Sequence, residues 1–180
     1  MVAEQPTLFT DRLLLRPFEL ADAPRLQELA GVREVADTTL NIPHPYPDGA
    51  ASLWIASHVP AWLDQTGVTF AITDRMIGDL MGAIGLVCNT SHASGELGYW
   101  VAKEHWKRGY CTEAARAVLA FAFDSLDLHR VHATHFVRNP ASGRVMQKLG
   151  MQFEGIRRGA VRKNGVFEDL ATYAILRDDP

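Results

Sequence analysis

The sequence predicts a mixed α/β fold in one domain, residues 1–180. Three observations carry this. Strand-like and helix-like segments alternate along the whole chain in the order β-α-α-β-β-β-α-β-α-β-β. No Pro/Gly/Ser-rich linker divides the 180 residues, a length that suits one packed core. A single long helical segment separates the fourth and fifth strands, which is the chain needed for a crossover connection.

The elements follow in order. TLFTDRLLLRPF reads as a first strand ending near Pro17. ELADAPRLQELAG is a short helix with Asp22 near its start and Gly31 at its end. DTTLNIPHPYPDG carries three prolines in thirteen residues. Each proline fixes φ and removes a donor, so this segment is an ordered loop. AASLWIASHVPAWLDQTG is a second helix with Trp54, Ile55, His58 and Trp62 at helical spacings, kinked or broken at Pro60.

VTFAITD and IGDLMGAIGLVCN form a strand pair about a turn near Asp74–Met76, and GELGYWVA is the next strand. HWKRGYCTEAARAVLAFAF runs from a loop into the longest helix. RVHATHFVR is a strand and NPASGRVMQKLG a helix. The chain closes as two strands around Lys163-Asn164-Gly165, since Asn-Gly is the strongest short hairpin signal.

Composition narrows the function. Hydrophobic residues make up 47% and charged residues 22%, as in soluble globular proteins. A net charge of -3 argues against nucleic-acid binding by broad phosphate neutralisation. Cys88 and Cys111 form no CxxC pair, which disfavours a disulfide framework and fits a reducing cytoplasm. The first residues, with Asp11, Arg12 and Arg16, do not read as a signal peptide. No apolar run is long enough to predict a membrane span.

Lys107, Arg108 and Gly109 stand at the mouth of the longest helix. First-turn amides have no intrahelical partner, and the macrodipole makes that end positive. Anions bind there, and a glycine lets them approach the backbone closely. The plain alternative is an ordinary junction with two solvated cations. Neither G-x-x-x-x-G-K-[ST] nor G-x-G-x-x-G occurs, which disfavours an NTPase or a dinucleotide oxidoreductase.

With its neighbours the junction becomes more specific. GELGYWVAKEHWKRGYCTEAARAVLAFAF followed by RNPASGRVMQKLGMQFEG resembles the GNAT acetyltransferases, in particular the ribosomal-protein type called RimJ/RimL-like. LFTDRLLLRPFELAD and NIPHPY are similar to the same group, so the resemblance runs from about Thr7 to about Leu176. The superfamily pattern Q/R-x-x-G-x-G/A falls on Trp106 to Cys111, with Gly109 at the central glycine, Trp106 in place of Gln or Arg, and Cys111 in place of Gly or Ala.

The resemblance implies a GNAT fold: a twisted, mostly antiparallel sheet of about seven strands and four helices, splayed between strands 4 and 5. It implies acetyl-CoA as co-substrate, with its pyrophosphate on the amides of Arg108, Gly109, Tyr110, Cys111 and Thr112, and Lys107 nearby. The pantetheine arm is expected to pair with backbone near Trp100 and Val101, and Asn139 to contact it or orient the next helix. Asn139 before Pro140 is equally an ordinary N-cap followed by proline at the first helical position.

Amide formation from a thioester needs a neutral amine, donors for the carbonyl oxygen, and a proton for the thiolate. Glu96 is the candidate general base, acting directly or through a water. Strand alternation puts Glu96, Gly98 and Trp100 on one face and Leu97, Tyr99 and Val101 on the other. Glu96 also reads as a solvent-facing carboxylate on a half-exposed strand. Ser142 is the candidate general acid by the resemblance; otherwise it is a first-turn helix serine. His44, Tyr46 and Trp54 are candidates for the acceptor side, because loops on a rigid scaffold carry specificity. The other reading of that loop is a rigid connector.

Cys111 raises a ping-pong route through an acetyl-cysteine, since a helix N-terminus lowers a thiol pKa. The small-residue slot accounts for it without chemistry, and the family pattern implies direct transfer. His129, His132 and His135 do not make a metal site, because His132 alternates away from the other two and no acidic or cysteine partner has ligand spacing. The expected activity is acetyl transfer from acetyl-CoA to a primary amine: a protein N-terminus, with ribosomal proteins suggested by the resemblance, or a small amine. The competing reading is a non-catalytic sensor of CoA or acyl-CoA. No metal, nucleic acid or membrane partner is expected, and a homodimer is an admissible assembly.

Overall fold

The computed structural model describes residues 4–179. Eight strands form one sheet in the spatial order β1-β2-β3-β4-β5-β6-β8-β7. The strands are β1 (Leu8–Phe9), β2 (Leu13–Pro17), β3 (Gly67–Asp74), β4 (Leu80–Asn89), β5 (Ser94–Val101), β6 (Arg130–Phe136), β7 (Gln152–Lys163) and β8 (Val166–Leu176). The α-helices are α1 (Ala23–Ala30), α2 (Arg33–Thr38), α3 (Ala50–Ala56), α4 (His58–Leu63), α5 (Tyr110–Asp124) and α6 (Pro140–Lys148).

Three local differences from the sequence reading have physical causes. The expected first strand is a hairpin, because Thr10 turns the chain: its amide donates to the Leu13 carbonyl and its hydroxyl accepts from the Leu13 amide. The sheet therefore has eight strands where seven are expected, and the expected split between strands 4 and 5 lies between β5 and β6. The second helix breaks at Ser57 into α3 and α4, which leaves Pro60 in the first turn of α4, where a missing N–H costs no intrahelical bond. The short helix α2 precedes the proline-rich loop and has no counterpart in the sequence reading.

Alternation along the strands builds two apolar layers. On one face α5 packs its Ala114, Ala115, Val118 and Ala122 against Leu13, Leu15, Phe70, Ile84 and Leu97. On the other, α1 and α3 bring Leu26, Leu29, Ala51 and Ile55 onto Ala71 and Leu80, with Trp100 and Tyr46 at the margin. At the chain's end, Asn164 (φ 49°) and Gly165 (φ 85°) both take positive φ, the backbone a two-residue hairpin turn needs.

All neighbouring strands are antiparallel except β5 and β6. Those two pair in parallel at only three positions: Ser94 with Arg130, Gly95 with Val131 and Glu96 with His132. From Leu97 onward β5 keeps β4 as its partner and diverges from β6. The result is a split that widens toward the start of α5.

Candidate active site

The wide end of the split is bounded by the loop that enters α5. Lys107 (φ 62°) and Gly109 (φ 82°) turn the chain so that the first amides of α5 open outward. Gly109 occupies the N-cap position with no side-chain cap, so the helix start is left to a ligand or to solvent. A Cβ at Gly109 would meet a single neighbour, Arg12 Nη2 at 3.6 Å. Lys107 and Arg108 are exposed, and among the described residues neither is paired with a carboxylate.

The loop is anchored from the N-terminal hairpin. Glu113, in the first turn of α5, accepts from the Thr10 hydroxyl (2.6 Å), the Arg12 amide (2.9 Å) and Arg12 Nε (2.7 Å). Arg12 then donates through Nη1 to the Arg108 carbonyl (3.1 Å) and lies 4.4 Å over the Tyr110 ring. Burial pushes the Glu113 carboxyl up, but the bonds from Thr10 and Arg12 outweigh it and hold it below the ordinary range. The partners lie about a hundred residues away, at separations of 101 and 103, beyond the reach of any local pattern.

The walls of the split differ in what they offer. The Ala102 amide donates to the Met81 carbonyl (2.8 Å), which sets the phase of the β4–β5 ladder. By that phase the peptide groups of Trp100 bond to β4, while those of Tyr99 and Val101 face the split. Trp106 Nε1 already takes the Val101 carbonyl (2.9 Å), leaving the Val101 amide and the Tyr99 peptide groups facing the gap. The Trp100 side chain lies against the α1 and α3 layer.

Across the split, Ser142 sits in the first turn of α6. Gly143 lets this helix approach β6; a Cβ there would be 2.7 Å from His135 Nε2. The Tyr99 hydroxyl lies 2.9 Å from Ser142 Oγ and 3.1 Å from the Ser142 carbonyl, so it spans from β5 to α6. Burial pushes the Tyr99 phenol well above its ordinary value despite the Ser142 bond, so it is a neutral donor. Asn139 stands at the N-cap of α6 but makes no capping bond with its side chain. Cys111 lies in the first turn of α5, where burial pushes its thiol up to about 12. The helix-start effect that would favour a thiolate is overcome by desolvation.

Glu96 belongs to the last β5–β6 pair before the split, on the face opposite α5. Thr134 Oγ1 donates to Glu96 Oε1 (3.4 Å), and His132 Nε2 lies 3.9 Å from Oε2. The carboxylate is half exposed. Beyond it, a Cβ on Gly98 would meet nothing within 4 Å, so the same face stays open along β5. A recess of about 430 Å³ adjoins it, lined in part by Val87, Asn89, Ser94 and His132. Thr134 and Tyr99 were not singled out for chemistry from the sequence, and His132 was weighed only as a metal ligand, since strand polar residues usually face solvent or fill sheets.

On that face His44 Nδ1 is bonded to the Gly31 carbonyl (3.0 Å), Tyr46 packs at the margin of the α1 and α3 layer, and Trp54 stacks edge-on to His58 at 4.3 Å. His132 lies on the Glu96 face and His135 under α6. Among the described residues no three His, Cys, Asp or Glu side chains are grouped to hold a metal ion, and no helix is long and apolar enough to cross a membrane.

The diverging strands and the uncapped helix start together form an elongated groove with an anion-accepting end. The particular family follows from comparison with known proteins. Residues 12–152 match the family model described as an acetyltransferase (GNAT) domain. The chain is 30% identical to the uncharacterized N-acetyltransferase YoaA of Bacillus subtilis, over 96% of this chain and 97% of that protein. It is 29% identical to the putative ribosomal N-acetyltransferase YdaF of the same organism, over 93% and 92% of the two chains. In three dimensions it superposes on a GNAT-family acetyltransferase from Bacillus anthracis with a TM-score of 0.86, at 24% identity, covering 97% of this chain and 100% of that one. The chain belongs to the GNAT acetyltransferases and is an N-acetyltransferase.

Proposed function

We propose that this enzyme transfers acetyl from acetyl-CoA to a primary amine by direct attack within a ternary complex. The acceptor is a protein N-terminal α-amine, of the ribosomal kind that the name of YdaF suggests, or a small amine. The observation that carries the reading is Glu96, a carboxylate at the narrow end of the split, on the face opposite the helix start.

In this reading the pyrophosphate rests on the amides of residues 108 to 112, with Lys107 and Arg108 adding charge. The pantetheine arm pairs with the backbone of Tyr99 and Val101 rather than Trp100, because only the former face the gap. Asn139 contacts that arm. Its side chain makes no capping bond that would compete. The whole described chain acts as one GNAT unit.

The chemistry then balances with this chain's own groups. The amine nitrogen attacks the thioester carbonyl carbon and its proton passes to Glu96, directly or through a water. The C–S bond breaks, and the leaving thiolate receives a hydrogen bond or proton from Ser142, whose hydroxyl is backed by the neutral Tyr99 phenol. An α-amine, with a pKa near about 8, needs less help than a lysine at about 10.4, which favours the N-terminal acceptor. His44, Tyr46 and Trp54 flank the acceptor approach.

Thiol release from acetyl-CoA, measured across N-terminal peptides and small amines, tests the reading. Glu96→Gln is expected to lower kcat by about 10²-fold with acetyl-CoA affinity unchanged. Full activity in that variant removes Glu96 from the mechanism. Tight acetyl-CoA binding by the wild type with no turnover of any amine would instead identify a sensor.

A further inference from the structure

The two halves of the sheet are also tied to each other beyond the wide end of the split. Helix α2 reaches from β5 to the far half of the sheet. At one end Lys103, just past β5, pairs with Glu34 (2.6 Å). At the other, Lys163 at the tip of the β7–β8 hairpin donates to the carbonyls of Leu40 (3.1 Å) and Ile42 (2.6 Å), and Asn164 Nδ2 lies 3.5 Å from Asp37 Oδ1. The hairpin belongs to the β6-β8-β7 half, and the loop after α2 to the β1–β5 half. These contacts therefore close a bar across the mouth, and the split becomes a framed window.

Lys163 is the unusual member of this bar. It is 8% exposed, and its nearest carboxylate influence is Asp37, which favours the charge from beyond ion-pair distance. Its ammonium donates to two backbone carbonyls, and withdrawal from water opposes its charge, so these bonds to the loop offset a desolvation cost. Both carbonyls belong to the proline-rich segment that continues into His44 and Tyr46. On the opposite face the window is already spanned by Tyr99 and Ser142. The two faces thus have separate ties, one beside the helix start and one beside the loop.

We infer that Lys163 is a positioning residue for the acceptor: it sets the width of the window on the loop side and fixes the loop that the amine must pass. This rests on the acetyl-transfer reading for the word acceptor, but the tie itself does not. Loss of the tie loosens the approach of the amine and leaves the acetyl-CoA side intact.

The test compares wild type with Lys163→Met, Lys163→Arg and Asn164→Ala. Hydrogen exchange of residues 39–49 is followed without any acceptor. Kinetics use a peptide with a free N-terminal serine and, separately, spermidine; acetyl-CoA affinity is measured by calorimetry. Lys163→Met is expected to speed exchange in 39–43 and to raise the acceptor KM by about tenfold, with acetyl-CoA Kd unchanged. Lys163→Arg, which keeps a cationic donor, recovers most of both effects. Asn164→Ala removes the contact to Asp37 and strains the turn at φ 49°, so it loosens the same hairpin tip and gives a smaller shift of the same kind if Lys163→Met fails to fold. Unchanged exchange overturns the tie, whatever the kinetics. Faster exchange with acceptor KM unchanged, or with acetyl-CoA Kd weakened equally, overturns the positioning role. A wild type that acetylates neither probe counts against the proposed acceptors, while the exchange arm still decides the tie.

Discussion

Replacing Glu113 with alanine separates the anchoring of the loop that enters α5 from the chemistry. The variant loses three hydrogen bonds to one carboxylate, from the Thr10 hydroxyl, the Arg12 amide and Arg12 Nε, together with the Arg12 ion pair at 2.6 Å. The guanidinium is 48% exposed and the carboxylate 18%, so solvent screens the ion pair to about 0.5–1 kcal/mol. The hydroxyl and amide bonds add about 1 kcal/mol each, for a total of roughly 2–3 kcal/mol. In a domain of this size that lowers Tm by roughly 4–12 °C. Calorimetric unfolding of the ligand-free protein measures it.

The same variant frees Arg12 from its orientation on the Arg108 carbonyl, so acetyl-CoA affinity is expected to fall by about tenfold. The pH dependence carries a sign. The folded Glu113 pKa is depressed, so its stabilisation is complete above the ordinary carboxyl value of 4.5 and is lost as pH falls through the lower folded value. Glu113→Ala should flatten that acid limb. An unchanged Tm would refute the anchoring. A lower Tm with wild-type acetyl-CoA affinity would refute the link between the anchor and the pyrophosphate loop.

Three further outcomes follow from the same geometry. Gly109→Glu places a side chain and a negative charge at a residue with φ of 82°, and is expected to weaken acetyl-CoA binding at least about tenfold by titration; unaltered affinity would put the pyrophosphate elsewhere. Cys111→Ala is expected to keep acetyl transfer, and intact-mass analysis after acetyl-CoA alone should find no acetyl-enzyme, because burial holds the thiol at about 12; an acetylated Cys111 would reverse the mechanism. Burial lowers His58 from 6.5 to about 4, so it folds neutral and costs stability as pH falls below 6.5 toward about 4, at most about 2 kcal/mol by pH 5; His58→Phe should flatten this limb in denaturant titrations, and an unchanged slope would mean His58 is hydrated.

What the residue pattern could show was local. Asp22 and Gly31 stand at the ends of α1, and Asn164-Gly165 marks the hairpin, because helix boundaries and positive-φ turns follow residue types within a few positions. Gly109 at the start of α5 was legible for the same reason. The β1–β2 turn was not, since its Thr-Asp-Arg contains neither glycine nor proline and is held by the Thr10–Leu13 bonds and by the distant Glu113. Glu113, Tyr99 and Lys163 were legible as types but not as ties. Their partners lie 101, 43 and 121 residues away, and two of the three ties end on backbone carbonyls, which no side-chain pattern reveals.

Glu96 illustrates how topology turns an ambiguous residue into a candidate. On the pattern alone it is a polar position on an alternating strand. The crossover through α5 makes β6 parallel to β5, and that pairing persists for three positions before β5 and β6 separate. Glu96 closes the last of them. A carboxylate one residue earlier or later would point to the α5 face, where Gly95 and Leu97 pack against apolar side chains. A carboxylate two residues later, at Gly98, would stand beyond the last pair and lose the partner strand that supplies His132 and Thr134. Among these neighbouring positions, Glu96 therefore combines the face away from α5, the narrow end of the split and two polar neighbours on β6. Moving the carboxylate by the pair Glu96→Gly and Gly98→Glu keeps its face and composition but changes its level along the split. If position at the narrow end is what matters, this swap should be as inactive as Glu96→Gln; recovered activity would show that any carboxylate on this face suffices.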